Sequence, residues 1–361
     1  MRKLTIAASV AMAGAEEVQA QNNVTLYGIL SNGITFISNQ GGQSNVRLDS
    51  GINQANRFGL RGTEELGGGL RAIFNLESVF NLSTGVAGNG GALFGRRAYA
   101  GIASERFGTV TLGRDFDFIS DFISLYTNVV QFAPSYSFHL AYDVDRLAGE
   151  PVNNMIKYRS PSKGGLVIGG MYGFSNVAGS FGGAPGKPRV LSAGFKFQPR
   201  QDAPYSFAGA YTKVDGARGS FALSALDANS IATAAVGGRV SLGSVSLNGV
   251  YTYTNATSVT GAALVTQVYE TGLSYEFSPF LNTGTGYAYI DQRTGKFRIV
   301  SAALGYRLTK RTDVYLFGTW QHALAGAGPV GNFLVVTPGT ANGYSSSGNQ
   351  LAVQAGIRQV F

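Results

Sequence analysis

Sixteen segments of this chain alternate apolar and polar side chains over about ten residues each. Side chains point to opposite faces along an extended strand, so this pattern makes strands with one apolar and one polar face. In Ser244–Asn255, Val245, Leu247, Gly249, Tyr251 and Tyr253 fall on one face, and Ser246, Asn248, Thr252 and Thr254 on the other. Leu191–Gln198 and Gln267–Phe277 read the same way, whereas Thr312–His322 reads with either face outward. The segments are 23–36, 55–64, 69–80, 94–104, 108–115, 153–160, 165–174, 189–198, 205–214, 230–241, 244–255, 264–276, 281–291, 297–308, 312–322 and 349–361. About ten residues is the length a tilted strand needs to cross a bilayer.

Connections between the segments alternate in length. Glu65–Gly68, Glu105–Phe107, Pro161–Gly164, Pro199–Pro204, Leu242–Gly243, Phe277–Phe280 and Thr309–Arg311 are short. Asn39–Gln54, Ser175–Pro188 and Ala323–Gly348 are long and mostly Gly-, Ser- and Asn-rich. Short turns at one end and long loops at the other are the arrangement of an outer-membrane barrel, and an even strand number puts both termini at the short-turn end. The final strand, LAVQAGIRQVF, has Leu351, Val353, Ala355, Ile357 and Phe361 on one face and an aromatic terminus. It suits the closing seam of such a barrel. A secreted β-sandwich would also alternate, but around a dry apolar core with polar residues outward. Here the polar face is too polar for a dry core, so the apolar face is the exposed one. The expected fold is all-β: a 16-stranded antiparallel transmembrane β-barrel.

Composition agrees with this class. The chain has no cysteine, which excludes disulfides, Cys-ligated metal sites and a thiol nucleophile. Beyond the N-terminus no apolar run reaches the length of a membrane helix. Phe and Tyr together number 41 and Gly 51, against 1 Trp, which suits short-turned strands with an aromatic-banded exterior. The net charge of +8 is scattered singly rather than in Lys/Arg blocks, so nucleic acid is not the expected partner. Arg2 and Lys3, the apolar run Leu4–Ala15 and Val18-Gln19-Ala20 form an export signal, residues 1–20, with cleavage expected before Gln21 despite the unusual Glu16 and Glu17. The mature barrel would span 21–361.

With the apolar face on lipid, the other face lines a lumen. By parity it carries Arg57, Arg61, Arg71, Lys157, Arg159, Lys196, Arg239, Arg307 and Arg358 against Glu77, Glu270 and Glu276. Sixteen strands leave an aqueous channel, and cations around water favour anions. The long connection, about residues 116–150, carries Asp117, Asp121, Asp143, Asp145 and Glu150, with Arg146 as its one base. It also carries Phe118, Ile119, Phe122, Ile123, Leu125 and Tyr126, a surface costly to leave in water. Folding it into the barrel would cover that surface and set its acids against the basic wall.

Other motifs are weak. Gly326–Gly331 matches G-x-G-x-x-G but contains Pro329 and precedes no helical pattern. His139 and His322, the only histidines, have no metal-ligand spacing, and no Gly-x-Ser-x-Gly elbow supports a hydrolase. No catalytic residue, metal or cofactor is expected. The remaining alternatives are a substrate-selective channel, or a barrel that uses its loops as a surface hydrolase or adhesin.

Several stretches resemble the trimeric general-diffusion porins of Gram-negative outer membranes. They are NVTLYGIL (23–30), RFGLRGTEELGGGL (57–70), FGRRAYAGIASERFGTVTLGRDFD (94–117), VNNMIKYRSP (152–161), GYRLTKRTDVYLFG (305–318) and GIRQVF (356–361). The resemblance implies a third loop folded inward to narrow each pore, and passive diffusion of ions and small hydrophilic solutes, to which the lumenal charge count adds a mild anion preference. It also implies a homotrimer set in outer-membrane lipid and lipopolysaccharide, with the C-terminal strand read by the barrel-assembly machinery. Carried over by motif, Arg57 and Arg96 join the basic ladder facing the loop; parity alone does not place Arg96 and Arg97. The family often has Arg just before V-N-N, where this chain has Pro151. Ser31 stands where its first strand often has a charge, and Gln359 where His is frequent.

Overall fold

The computed structural model describes residues 23–139, 150–220, 223–224, 226–293, 295–324, 327–331 and 344–361. The expected signal segment and its cleavage point lie outside the described residues. Seventeen strand segments form one closed antiparallel sheet. They are β1 (Asn23–Gln40), β2 (Gln43–Ser50), β3 (Arg57–Gly67), β4 (Leu70–Val79), β5 (Arg97–Ser104), β6 (Gly108–Asp115), β7 (Val152–Arg159), β8 (Leu166–Gly173) and β9 (Arg189–Phe197). The rest are β10 (Tyr205–Asp215), β11 (Ala228–Leu242), β12 (Val245–Ser258), β13 (Ala263–Glu276), β14 (Leu281–Gln292), β15 (Gly295–Arg307), β16 (Thr312–Ala323) and β17 (Asn349–Val360). β2 and β3 both pair with the same edge of β1, so together they make one stave and the barrel has sixteen.

The split stave departs from the sequence reading, which took Asn39–Gln54 as a loop. Residues 43–50 instead turn back at Gly41-Gly42 and continue the sheet. Their alternation is legible once seen: Val46 and Leu48 point out, 68% and 58% exposed, while Asp49 is buried. Gly51, at φ +77°, then diverts the chain into the lumen until Asn56. The diversion removes a ladder partner from β1. Asn56 replaces it: its side-chain oxygen accepts the Ser31 N–H, and its amide donates to Ser50 Oγ at 2.6 Å. Buried backbone groups need such partners.

Closure runs between β1 and β17, from Ile29 opposite Val360 to Ile37 opposite Ala352. Phe361 extends it, exchanging two 3.0 Å backbone hydrogen bonds with Gly28. The short turns stand where the sequence places them. The β3–β4 and β11–β12 turns are each two residues long, and Gly68, Gly69 and Gly243 supply their positive φ. The inversion is also present. Leu247, Phe207, Tyr269 and Ile357 are exposed on the outside, while Ser246, Asn248, Thr252 and Gln354 are buried inside.

β16 had no evident face because both are partly apolar. Leu316 and Trp320 point outward, and Tyr315 and Phe317 point inward. The inward pair stacks at 4.8 Å and packs with Ile37, Ile52 and Tyr136. Tyr136 belongs to the long third loop, so this wall is apolar where the loop tip rests on it.

The seam dictates a prediction. Deleting Phe361 removes both terminal hydrogen bonds and the ring that lies over Gly28. Outer-membrane yield of heat-resistant barrel should fall severalfold, as read by semi-native electrophoresis; normal yield would show that closure does not depend on this residue.

Candidate functional site: the lumen and its inward loop

The loop enters the barrel immediately after β6. Asp117 accepts the Ser120 N–H at 2.9 Å through Oδ1, which starts a helical turn over Ile119–Ile123. Further turns cover Ser124–Tyr126, Asn128–Gln131, where Thr127 caps the N-terminus, and Ser135–Ser137. Phe118, Ile119, Phe122 and Ile123 are each fully buried in a cluster that includes Met155, Met171, Ala208 and Ala235 of the wall. Each such side chain contributes about 1.5–3 kcal/mol on burial. The wall makes room with glycine: a Cβ on Gly169 would overlap the Phe118 ring, and one on Gly284 the Phe132 ring.

Polar contacts fix the middle and tip of the loop. Glu270 of β13 accepts the Asn128 N–H at 2.8 Å and meets His139 Nε2 at 3.1 Å. Asn248 of β12 donates to the Tyr126 carbonyl and to Asn128 Oδ1, both at 2.9 Å. At the tip, Ser135 N–H reaches the Ile52 carbonyl at 2.9 Å, Ser137 meets Thr319 at 2.7 Å, and Tyr136 donates to Asp49. Burial and the Asp49 carboxylate push the Tyr136 hydroxyl well above its ordinary value, so it stays a neutral donor.

The loop leaves a cavity of about 1040 Å³ between its surface and the wall. Seven arginines border it among the described residues, against three carboxylates, Asp121, Glu276 and Asp313. Arg57 and Arg96 both address Glu77, Arg57 at 3.6 Å. The Arg96 and Arg97 guanidiniums lie 4.7 and 4.9 Å from the Phe116 ring centre. Arg97 reaches Asp115 at 3.4 Å and Asp121 at 3.7 Å. Arg159 lies 5.2 Å over the Phe122 ring, and Arg239 donates to Ser246 Oγ at 2.9 Å. Across the lumen Arg307 faces Glu276 at 3.7 Å and Arg358 holds Asp313 at 2.8 Å.

The sequence-derived residues divide accordingly. Arg57, Arg96, Arg159 and Arg239 border the cavity. Lys157 does not. Asp115 at 2.9 Å, Asp121 at 2.6 Å and the Phe116 carbonyl at 2.6 Å enclose its ammonium, because the loop closes directly over it. Arg61 stacks on Tyr27 at 5.3 Å and Arg71 sits beside the β3–β4 turn; neither borders the cavity. Asp117 is buried as a cap, so of the loop acids Asp121 is the one on the cavity. Glu150 ends the loop just before β7, and Asp143 and Asp145 lie outside the described residues. Parity missed Arg97, Asp115 and Asp313; the RR dipeptide at 96–97 was the signal for the first.

Comparison with known proteins agrees with this geometry. The family profile described as Gram-negative porin matches residues 5–323. An outer membrane porin protein of Bordetella pertussis is 32% identical over 190 residues, 48% of this chain and 49% of that protein, so the match spans about half its length. Outer membrane porin protein 32 of Delftia acidovorans is 28% identical over 100% of both chains. Among solved structures, an anion-selective porin from Comamonas acidovorans superposes with a TM-score of 0.78 at 25% identity, covering 94% of this chain and 100% of that one. Trimers occur among the porins that share the fold. A closed sixteen-stave barrel with a charged lumen and an inward third loop, matched by that profile over most of its length, places this chain in the Gram-negative porin family, as a non-enzymatic channel of the outer membrane.

Proposed function

We propose that the chain is exported by its first twenty residues, assembles as a homotrimer in outer-membrane lipid and lipopolysaccharide, and passes ions and small hydrophilic solutes passively with a mild preference for anions. The observation that carries this reading is the cavity itself, bordered by seven arginines and three carboxylates. The selectivity named for the Comamonas porin supports it. The loop at about 116–150 acts as the constriction in this reading, with Arg96 and Arg97 over Phe116 at its start and Arg57 sharing Glu77 with Arg96. Their partners Glu77, Asp115 and Asp121 nearly balance them, and Pro151 adds no further charge. The net preference at the narrowest point is therefore small, while separated charges still set a transverse field that orients polar solutes.

Reversal potentials in a potassium chloride gradient test the sign. Chloride should be preferred at low salt, and the preference should fade as salt rises, because the Debye length shrinks from about 10 Å at 0.1 M to about 3 Å at 1 M. Arg57→Ala or Arg96→Ala should lower the preference and Asp121→Ala raise it. Strong potassium preference in the unaltered channel would refute the reading.

The loop's anchor is separately testable. Glu270→Ala leaves the buried Asn128 N–H without its carboxylate, at a cost of about 1–3 kcal/mol. Single-channel current should become larger and noisier as the loop loosens. A current trace indistinguishable from the parent would mean that the apolar cluster alone holds the loop.

A further inference from the structure

Three lumenal cations lie toward the short-turn end of the wall. Arg159, Lys196 and Arg239 occupy β7, β9 and β11, each near a short turn. Alternate staves are ~10 Å apart, so the three follow one another along a single stretch of wall. None forms an ion pair with a described residue, whereas every acid bordering the cavity is committed elsewhere: Asp121 to Lys157 and Arg97, Glu276 to Arg307, Asp313 to Arg358. Two of the three are positioned without being neutralised. Arg159 is held over the buried Phe122 ring, and Arg239 by the Ser246 hydroxyl. Lys196 stands between them, half-buried, with no hydrogen-bond partner among the described residues. Like charges held together without a counter-charge are an electrostatic cost, which an anion lying between them would relieve.

From this arrangement we infer that Arg159, Lys196 and Arg239 form a binding site for a short linear polyanion of the oligophosphate class, on the short-turn side of the inward loop. The inference rests on the anion-preferring reading of the channel and adds a ligand class and a location to it. A monovalent anion meets one cation at a time. A chain of linked oxyanions meets two or three at once, and guanidinium groups present paired donors to phosphate oxygens. Occupancy there leaves the constriction charges unchanged and obstructs the lumen beneath it.

The test is block of chloride current by inorganic tripolyphosphate added on the short-turn side of planar bilayers, compared with orthophosphate. Tripolyphosphate should block at a concentration at least tenfold lower. Lys196→Gln and Arg239→Gln should each raise the blocking concentration fivefold or more, and Lys196→Arg, which keeps the charge and the assembled barrel, should restore it. Arg307→Gln removes a lumenal cation outside the row and should change block less than twofold. Equal block by the two phosphates, or equal loss from Arg307→Gln, would overturn the site in favour of a general field. Potassium preference in the unaltered channel would instead overturn the bulk selectivity reading, whatever the outcome of the block.

Discussion

Hydrocarbon offers the backbone no hydrogen-bond partner, so a sheet that crosses a bilayer must close on itself. In this chain the closing load falls on β1. It pairs with β17 along one edge and with both β2 and β3 along the other. The break between β2 and β3 is tolerable because it opens into the lumen and Asn56 supplies the missing acceptor to Ser31. The same break presents the Ile52 carbonyl to Ser135 and the Ile52 side chain to Tyr136. One local irregularity therefore serves both closure and the seating of the loop tip.

Side-chain size sorts the lumenal wall by what lies against it. Where the loop presses on the sheet, the wall carries glycine, as at Gly169, Gly272 and Gly284 beneath Phe118, Asn128 and Phe132, or apolar side chains such as Met155, Met171, Tyr315 and Phe317. Where water lies, it carries arginine. Between them are neutral polar residues, such as Asn248 and Thr319, that hold loop backbone and hydroxyls without adding charge. Arg159 serves both sides, bordering the cavity while its guanidinium lies over the buried Phe122 ring.

The staves, turns and outward faces were legible because a half-buried strand leaves a period-two trace. The inward course of the third loop was legible because Phe118, Ile119, Phe122 and Ile123 would otherwise meet water. Pairing within the lumen was not. Parity puts Lys157 and Arg159 on the same face, yet one is enclosed by Asp115 and Asp121 and the other borders the cavity. Only the path of the loop separates them. Asp117 likewise reads as one acid among several until the turn it caps is visible. The strand at 43–50 was hidden for a different reason: its polar flanks, NQGGQ and GINQAN, look like loop, although the alternation inside them is intact.

Charge in this pore is divided between two levels. At the loop, Arg57, Arg96, Arg97 and Lys157 meet Glu77, Asp115 and Asp121, four cations against three carboxylates. Such a cluster is nearly neutral seen from a distance, and its effect comes from the separation of its charges. Toward the short turns, Arg159, Lys196 and Arg239 have no such partners. A field from separated charges falls off more steeply than one from net charge, and both are screened within a Debye length of about 8 Å at physiological salt. In this reading the constriction orients what passes, and the unpaired row below it sets which sign accumulates. On the same reading Pro151, where the resemblance implies an arginine, weakens the first of these without touching the second.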